Sequence, residues 1–200
     1  MRKKFYFLLF AMTISTALFA QRFEYQLGLK GALGFDWPVV ENDDVSGRDN
    51  GLCYKYGLTG VYYFGESYGI TSGFNIIGSQ FSFKISDIES KYKTTYCQIP
   101  VLLKMRTDNF ADKFRLMGEI GYGFNLLVSG EYKLENVKQD SPYRDVCSSF
   151  IVHLGLEMEV LNRSVLQFIV GYDTVFSSMM SMSNDNIKMS NLCFELGFLF

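Results

Sequence analysis

Leu192-Cys193-Phe194-Glu195-Leu196-Gly197-Phe198-Leu199-Phe200 closes the chain, and its reading decides the fold. Leu192, Phe194, Leu196, Phe198 and Phe200 fall on alternate positions. Between them stand Cys193, Glu195, Gly197 and Leu199. One parity is apolar throughout, and the other carries a charge and a glycine. Side chains alternate between two faces in a β-strand, whereas a helix of 3.6 residues per turn would scatter this pattern around its circumference.

Working back from the end, the same period recurs. Leu166, Phe168, Val170, Tyr172, Thr174 and Phe176 oppose Gln167, Gly171 and Asp173. Phe150, Val152, Leu154, Leu156, Met158 and Val160 oppose His153, Gly155, Glu157 and Glu159. Phe114, Leu116, Ile120, Tyr122, Phe124, Leu126 and Val128 oppose Arg115, Glu119, Gly121, Gly123, Asn125 and Ser129. In the first half, Phe23 to Phe35 alternates with Glu24, Gly28, Lys30, Gly34 and Asp36. Leu52 to Phe64 alternates with Cys53, Lys55, Gly57 and Thr59, and Tyr68 to Ile76 with Gly69, Thr71, Gly73 and Asn75. The segment near 92–106 is less regular. Ile99 to Leu103 is apolar on both parities, and Pro100 cannot donate to a ladder, so a bulge there is expected to shift the register.

These segments number eight, each long enough to cross the apolar layer of a membrane when tilted. The connections alternate in length. Long polar stretches near 38–50, 82–91, 131–145 and 178–189 alternate with tight turns at Gly65-Glu66 and Asn162-Arg163 and a short link near 107–112. An all-β, eight-stranded antiparallel up-and-down transmembrane β-barrel predicts this alternation, with short turns and both termini on the periplasmic side.

Composition agrees. The chain has 200 residues, of which 16% are aromatic, with 19 Phe, 13 Tyr and only 3 Pro. Strand formers therefore dominate. Mean hydropathy is +0.06, and no stretch after the N-terminus supplies the roughly 18 apolar residues of a spanning helix. Residues 1–20 read as a secretory signal: Arg2, Lys3 and Lys4, then a short apolar run interrupted by Thr13, Ser15 and Thr16, then Ala20 before Gln21. The barrel domain is 21–200. Cleavage removes three of the 19 basic residues and none of the 21 acidic ones, leaving a net charge of about −5. No basic patch suggests nucleic acid. Cys53, Cys97, Cys147 and Cys193 show no CxxC spacing, and their disulfide status is not readable from sequence.

The glycines settle which face is inside. Gly28, Gly34, Gly57, Gly69, Gly73, Gly121, Gly123, Gly155, Gly171 and Gly197 share the parity of the charges. Gly31, Gly60 and Gly118 lie on the apolar parity. The interior of an eight-stranded barrel is cramped, so small residues belong there. The aromatic faces then look outward, where water would drive aggregation and lipid would not. Phe23, Tyr25, Tyr62, Phe64 and Tyr68 are expected at one interface, and Phe35, Trp37 and Tyr54 at the other. Closure also leaves no unpaired edge in hydrocarbon.

Three stretches carry a family likeness. Tyr96-Cys97-Gln98-Ile99-Pro100-Val101-Leu102-Leu103-Lys104 is similar to the tyrosine, isoleucine-proline, leucine-leucine-lysine strand of the PorT-like outer-membrane β-barrel proteins, the small porin-family barrels. Gly118-Glu119-Ile120-Gly121-Tyr122-Gly123-Phe124 resembles the glycine-rich strand that follows in that group. Phe194, Phe198 and Phe200 look like the terminal strand read by the barrel-assembly machinery during biogenesis. The resemblance implies a place in the cell outer membrane and no shared catalytic residues. Some members of the group are linked to type IX secretion.

The candidate site is a polar network in the lumen: Glu24, Lys30, Lys55, Lys104, Arg115, Glu119, His153, Glu157, Asp173 and Glu195, with Asp36 and Glu159 on the same parity. Buried charges must be paired, so a side-chain plug is expected, with no cofactor, metal or enzyme activity. A His153/Asp173 pair has the residue types of a proton-transfer site, yet mid-strand burial makes a satisfied histidine the expectation. Glu41, Asp43, Asp44, Arg48 and Asp49 form an acidic loop without EF-hand spacing. Met179, Met180 and Met182 suit adaptable contacts. The function expected is structural, adhesive or as a secretion or assembly partner through extracellular loops. The alternatives are a small ion or solute channel and a soluble lipocalin-like barrel.

Overall fold

A computed structural model of the chain describes residues 24–40, 45–85, 88–110, 113–134, 137–139, 143–161, 164–175 and 187–200. Backbone alone is described for 40, 45–49, 83–85, 88–90, 134, 137–139, 161 and 187. The expected signal at 1–20, Phe23, the turn at Asn162-Arg163, the acidic residues 41–44 and Met179, Met180 and Met182 lie outside the described residues. Of Arg48 and Asp49, only the backbone is described.

The strands are β1 (Glu24–Val40), β2 (Val45–Tyr63), β3 (Tyr68–Ile85), β4 (Ile88–Arg106), β5 (Phe114–Leu134), β6 (Val137–Gln139), β7 (Val146–Leu161), β8 (Ser164–Val175) and β9 (Ile187–Leu199). Every barrel strand pairs antiparallel with its neighbours in the order β1-β2-β3-β4-β5-β7-β8-β9, and β1 pairs with β9 to close the wall. Eight strands make the barrel. β6 is a three-residue strand that folds back on the end of β5, with Tyr132 opposite Gln139. Phe200 exchanges backbone hydrogen bonds with Leu27 at 2.7 and 3.2 Å, so the last residue sits on the first strand.

The expected orientation holds along every described barrel strand. Leu33 and Leu52 are each 71% exposed on the outside, Phe194 60%, Phe168 43% and Phe198 41%. Lys30, Lys55, Lys104, Glu119, His153, Glu157, Asp173 and Glu195 are buried on the inside. A soluble barrel with an apolar interior would show the reverse.

Inward glycines let the strands curve tightly. A Cβ on Gly28 would lie 2.3 Å from the Phe198 carbonyl oxygen, and one on Gly121 2.2 Å from that of Val101. Outward glycines are mostly covered. Tyr25 lies over Gly60 and Tyr54 over Gly78, a fourth outward glycine, while Gly31 has nothing within 4 Å.

Two expectations are corrected. Pro100 causes no register shift. Ile99 and Pro100 lack ladder partners on β3, but the register is the same on both sides of the gap. Ser72 donates its hydroxyl to the Pro100 carbonyl at 2.9 Å, which uses an acceptor in that gap. The bulge lies higher, where Thr95 and Tyr96 face Ser129 and Leu127 and Val128 is the extra residue.

The polar stretches near 38–50 and 82–91 are also largely strand. β1 runs to Val40 and β2 begins at Val45, while β3 runs to Ile85 and β4 begins at Ile88. Pairing continues after hydropathic alternation fades, because an antiparallel ladder needs only backbone groups. The hairpins therefore stand above the apolar band as paired strands. At the opposite end, 64–67 make the tight turn after β2, closed by Phe64 N–H donating to the Tyr68 carbonyl at 3.1 Å.

Candidate functional site in the barrel lumen

Period two places one residue of every pair inside the wall, and the stagger of the strands sets which inward residues share a height. At mid-height, charged residues from seven strands meet. Lys30 on β1 reaches Glu119 on β5, halfway around the barrel, at 3.4 Å. Lys104 on β4 contacts Glu157 on β7 at 2.6 Å and Glu119 at 3.5 Å. Lys55 on β2 contacts Asp173 on β8 at 3.1 Å and Glu195 on β9 at 2.9 Å.

His153 on β7 joins the two halves. Its Nδ1 is 2.9 Å from Glu119, and its Nε2 is 3.3 Å from Glu195 and 3.8 Å from Asp173. The Nε2 contacts are close but lack hydrogen-bond alignment. Neutral donors complete the shell. Thr71 donates to Glu119 at 2.8 Å and Gln167 to Glu157 at 2.7 Å. The result is one connected ion-pair cluster in which every charge has an opposite partner, the condition under which buried charges are tolerated.

Two predicted members lie elsewhere. Glu24 and Arg115 have the lumen parity but stand at the turn-end rim. The Glu24 side chain is 47% exposed and lies 3.9 Å from Arg106, while Arg115 pairs with Glu159. Arg106, absent from the prediction, lies 3.9 Å over the Tyr63 ring and donates to the Glu66 carbonyl at 2.7 Å. Parity fixes the side of a residue but not its height, and these positions sit where strands end.

Above the ion cluster the lumen is lined mainly by uncharged polar side chains. Gln98 links Asn75 at 3.3 Å to Ser149 at 3.4 Å, and Asn125 donates to Ser149 at 3.1 Å. Asp36 accepts a hydrogen bond from Ser79, whose hydroxyl also lies 3.1 Å from the Met189 sulfur. Higher still, Phe81, Tyr92, Tyr96, Tyr143, Cys147, Val175 and Met189 pack into an apolar cap across the loop end. Phe81 stacks on Tyr92 with centroids 5.2 Å apart, and Tyr92 on Tyr132 at 4.9 Å. Tyr143, which precedes β7, donates to the Glu131 carbonyl at 3.2 Å, and its burial pushes the phenol well above the ordinary tyrosine range. Tyr132 and Tyr143 come from a stretch read as loop, Tyr92 and Tyr96 from the irregular segment near 92–106, and Phe81 from beyond the alternation read as far as Ile76, so their shared inward face was not followed.

What the lumen can do chemically follows from this filling. A cavity of about 10 Å³ borders Lys30, His153 and Glu195, and one of about 20 Å³ borders Asn125, Ser149 and Asp173. Each has room for about one water molecule. His153 is 4% exposed, so the His153–Asp173 contact has no path to a bulky substrate. Among the described residues, no group of three or more His, Cys, Asp and Glu side chains has metal-holding geometry. A concavity of about 960 Å³ lies instead on the outward wall, over Gly31 and between Leu33, Tyr54, Phe168 and Phe194.

Residues 19–184 match the family model described as outer membrane protein beta-barrel domain. No curated protein sequence matches the chain. Among solved structures, Neisserial surface protein A is similar at 9% identity, covering 88% of this chain and 98% of its own, with a TM-score of 0.50. The outer membrane protein OprG from Pseudomonas aeruginosa is similar at 12% identity, covering 90% and 98%, with a TM-score of 0.48. Ail, the attachment invasion locus protein of Yersinia pestis, is similar at 15% identity, covering 87% and 99%, with a TM-score of 0.43. At such identities the likeness concerns the fold alone.

Proposed function

Because this chain belongs to the outer membrane protein β-barrel domain family and resides in the cell outer membrane, we propose that it works through the surface its hairpins present outside the cell. The role is structural, adhesive or that of a secretion or assembly partner, and it is not enzymatic. The filled lumen carries this reading. Lys30 and Glu119 meet across the barrel, the paired charges around them occupy the path a solute would take, and an aromatic cap lies over them. With the interior occupied, the outer wall and the hairpin ends are the surfaces left for function. The wall faces lipid, so partners meet the hairpins.

The terminal Phe194, Phe198 and Phe200, all outward, serve the barrel-assembly machinery during insertion.

The alternative, a small ion or solute channel, is separated by conductance. The purified protein in planar bilayers is expected to give no current steps above the bare membrane. Discrete, reproducible steps would contradict the proposal. Replacing the two-residue links at 86–87 and 135–136 with Asn-Gly is expected to leave insertion intact and to remove rescue of a deletion strain. Full rescue by the link-replaced protein would contradict a role carried by those hairpins.

A further inference from the structure

Cys53 and Cys193 lie on β2 and β9, the two strands that flank β1. Both face the lumen and both stand opposite Gly34. Their sulfur atoms are 3.3 Å apart, although the residues are 140 positions apart in sequence. Gly34 makes this approach possible. A Cβ there would lie 2.7 Å from the Cys193 Cα and 2.8 Å from its sulfur. Ala32, the next inward residue of β1, packs with both cysteines and is itself small. Two thiols therefore reach toward each other over the strand between them, across a gap that small side chains leave open. A disulfide has sulfurs about 2.05 Å apart, so closure needs a further approach of roughly 1.3 Å.

The other two cysteines have no such geometry. Cys97 stands opposite Ile76 and Leu126 on the outward parity. Cys147 is buried inward beneath the aromatic cap. They lie on opposite sides of the wall.

An outer-membrane chain crosses the periplasm before it inserts, and that compartment is kept oxidising. We infer that Cys53 and Cys193 are joined by a disulfide in the mature protein. The bridge is a staple laid across β1 that ties β2 to β9 and so locks the seam where the first and last strands close the barrel. The oxidant is a disulfide-bearing protein or small-molecule disulfide of the periplasm. The thiolate of one cysteine attacks the donor disulfide and expels one donor sulfur as thiol. The thiolate of the second then attacks the mixed disulfide and expels the other. Two protons leave the cysteines, the donor is reduced to its dithiol, and one S–S bond has formed for one broken. Cys53 is 3% exposed and Cys193 2%, so exchange takes place before or during closure of the wall.

The test uses the full-length protein from outer membranes, acid-quenched and then denatured with N-ethylmaleimide without reductant. Mass spectrometry is expected to find two alkylated cysteines, Cys97 and Cys147, and a peptide joining Cys53 to Cys193 that reductant separates. Cys53→Ser is expected to expose Cys193 to alkylation, and Cys97→Ser to leave the link in place. Alkylation of all four cysteines in the natural protein, or a link that includes Cys97 or Cys147, would overturn the inference.

Discussion

Lys55 holds two carboxylates from different strands, and its side chain and those of Asp173 and Glu195 are each no more than 3% exposed. Lys55→Met keeps the side-chain length but leaves two anions buried without their cation. Breaking a buried pair from one side costs about 3–5 kcal/mol. The urea midpoint of the barrel in detergent micelles, read from the folded and unfolded gel bands, is expected to fall accordingly. Arg115→Met at the rim removes a contact to Glu159, whose side chain is 42% exposed, and is expected to cost at most about 1 kcal/mol. Equal midpoints for the two variants would contradict the paired-charge account. Sequence parity was enough to place Lys30, Lys55, Lys104, Glu119, His153 and Glu195 inside. It did not give their partners, because the stagger of the strands decides which residues share a height. Lys30 and Glu119, 89 positions apart, carry no local sign of their contact. Nor did parity separate Glu24 and Arg115, which end at the rim, from the buried cluster.

At the scale of the strand, glycine position separates the two faces. Gly28→Val would drive a side chain into the Phe198 carbonyl on β9 and is expected to prevent assembly of the folded, heat-modifiable barrel. Gly31→Val, three residues on, meets open space on the outer wall and is expected to assemble like the natural protein. If both variants assemble equally, the inward glycines are not what shapes the wall. Phe200 belongs to this scale too. Phe200→Ala is expected to lower the assembled fraction recovered from outer membranes without moving the urea midpoint of the folded protein by more than about 1 kcal/mol, since Phe200 is 59% exposed. A large loss of stability with normal recovery would assign Phe200 to packing rather than to assembly. Strand existence and facing were legible because lipid on one side and a narrow lumen on the other impose period two. Strand length was not. Beyond the lipid the outward parity no longer has to be apolar, so Lys91 and Lys133 stand on paired strands that read as loops. Tyr92 and Tyr132, inward beside them, carried the only alternation left.

For the whole molecule, eight strands fix a lumen that side chains can fill, and that single number separates a plugged barrel from a pore. The outer wall is continuous in apolar and aromatic residues. Tyr25, Tyr62 and Tyr68 lie toward the turn end, and Phe35, Tyr54 and Tyr172 toward the other, with Trp37 6.1 Å from Tyr172. These bands mark where the membrane meets water on each side. The fold was legible from the sequence because a closed barrel in lipid leaves few ways to arrange eight alternating segments. The function was less so, since a filled lumen moves it to hairpin ends whose chemistry no period encodes.

The central claim is orientation, and the chain's last strand tests it most directly. Nitroxide labels placed singly at 194, 195, 196, 197 and 198 can be read by spin-resonance relaxation in lipid bilayers, with dissolved oxygen reporting contact with lipid. Labels at 194, 196 and 198 are predicted to be mobile and oxygen-accessible, and those at 195 and 197 immobile and shielded. The opposite alternation, with 194, 196 and 198 shielded, would contradict a barrel that turns its apolar face to the membrane.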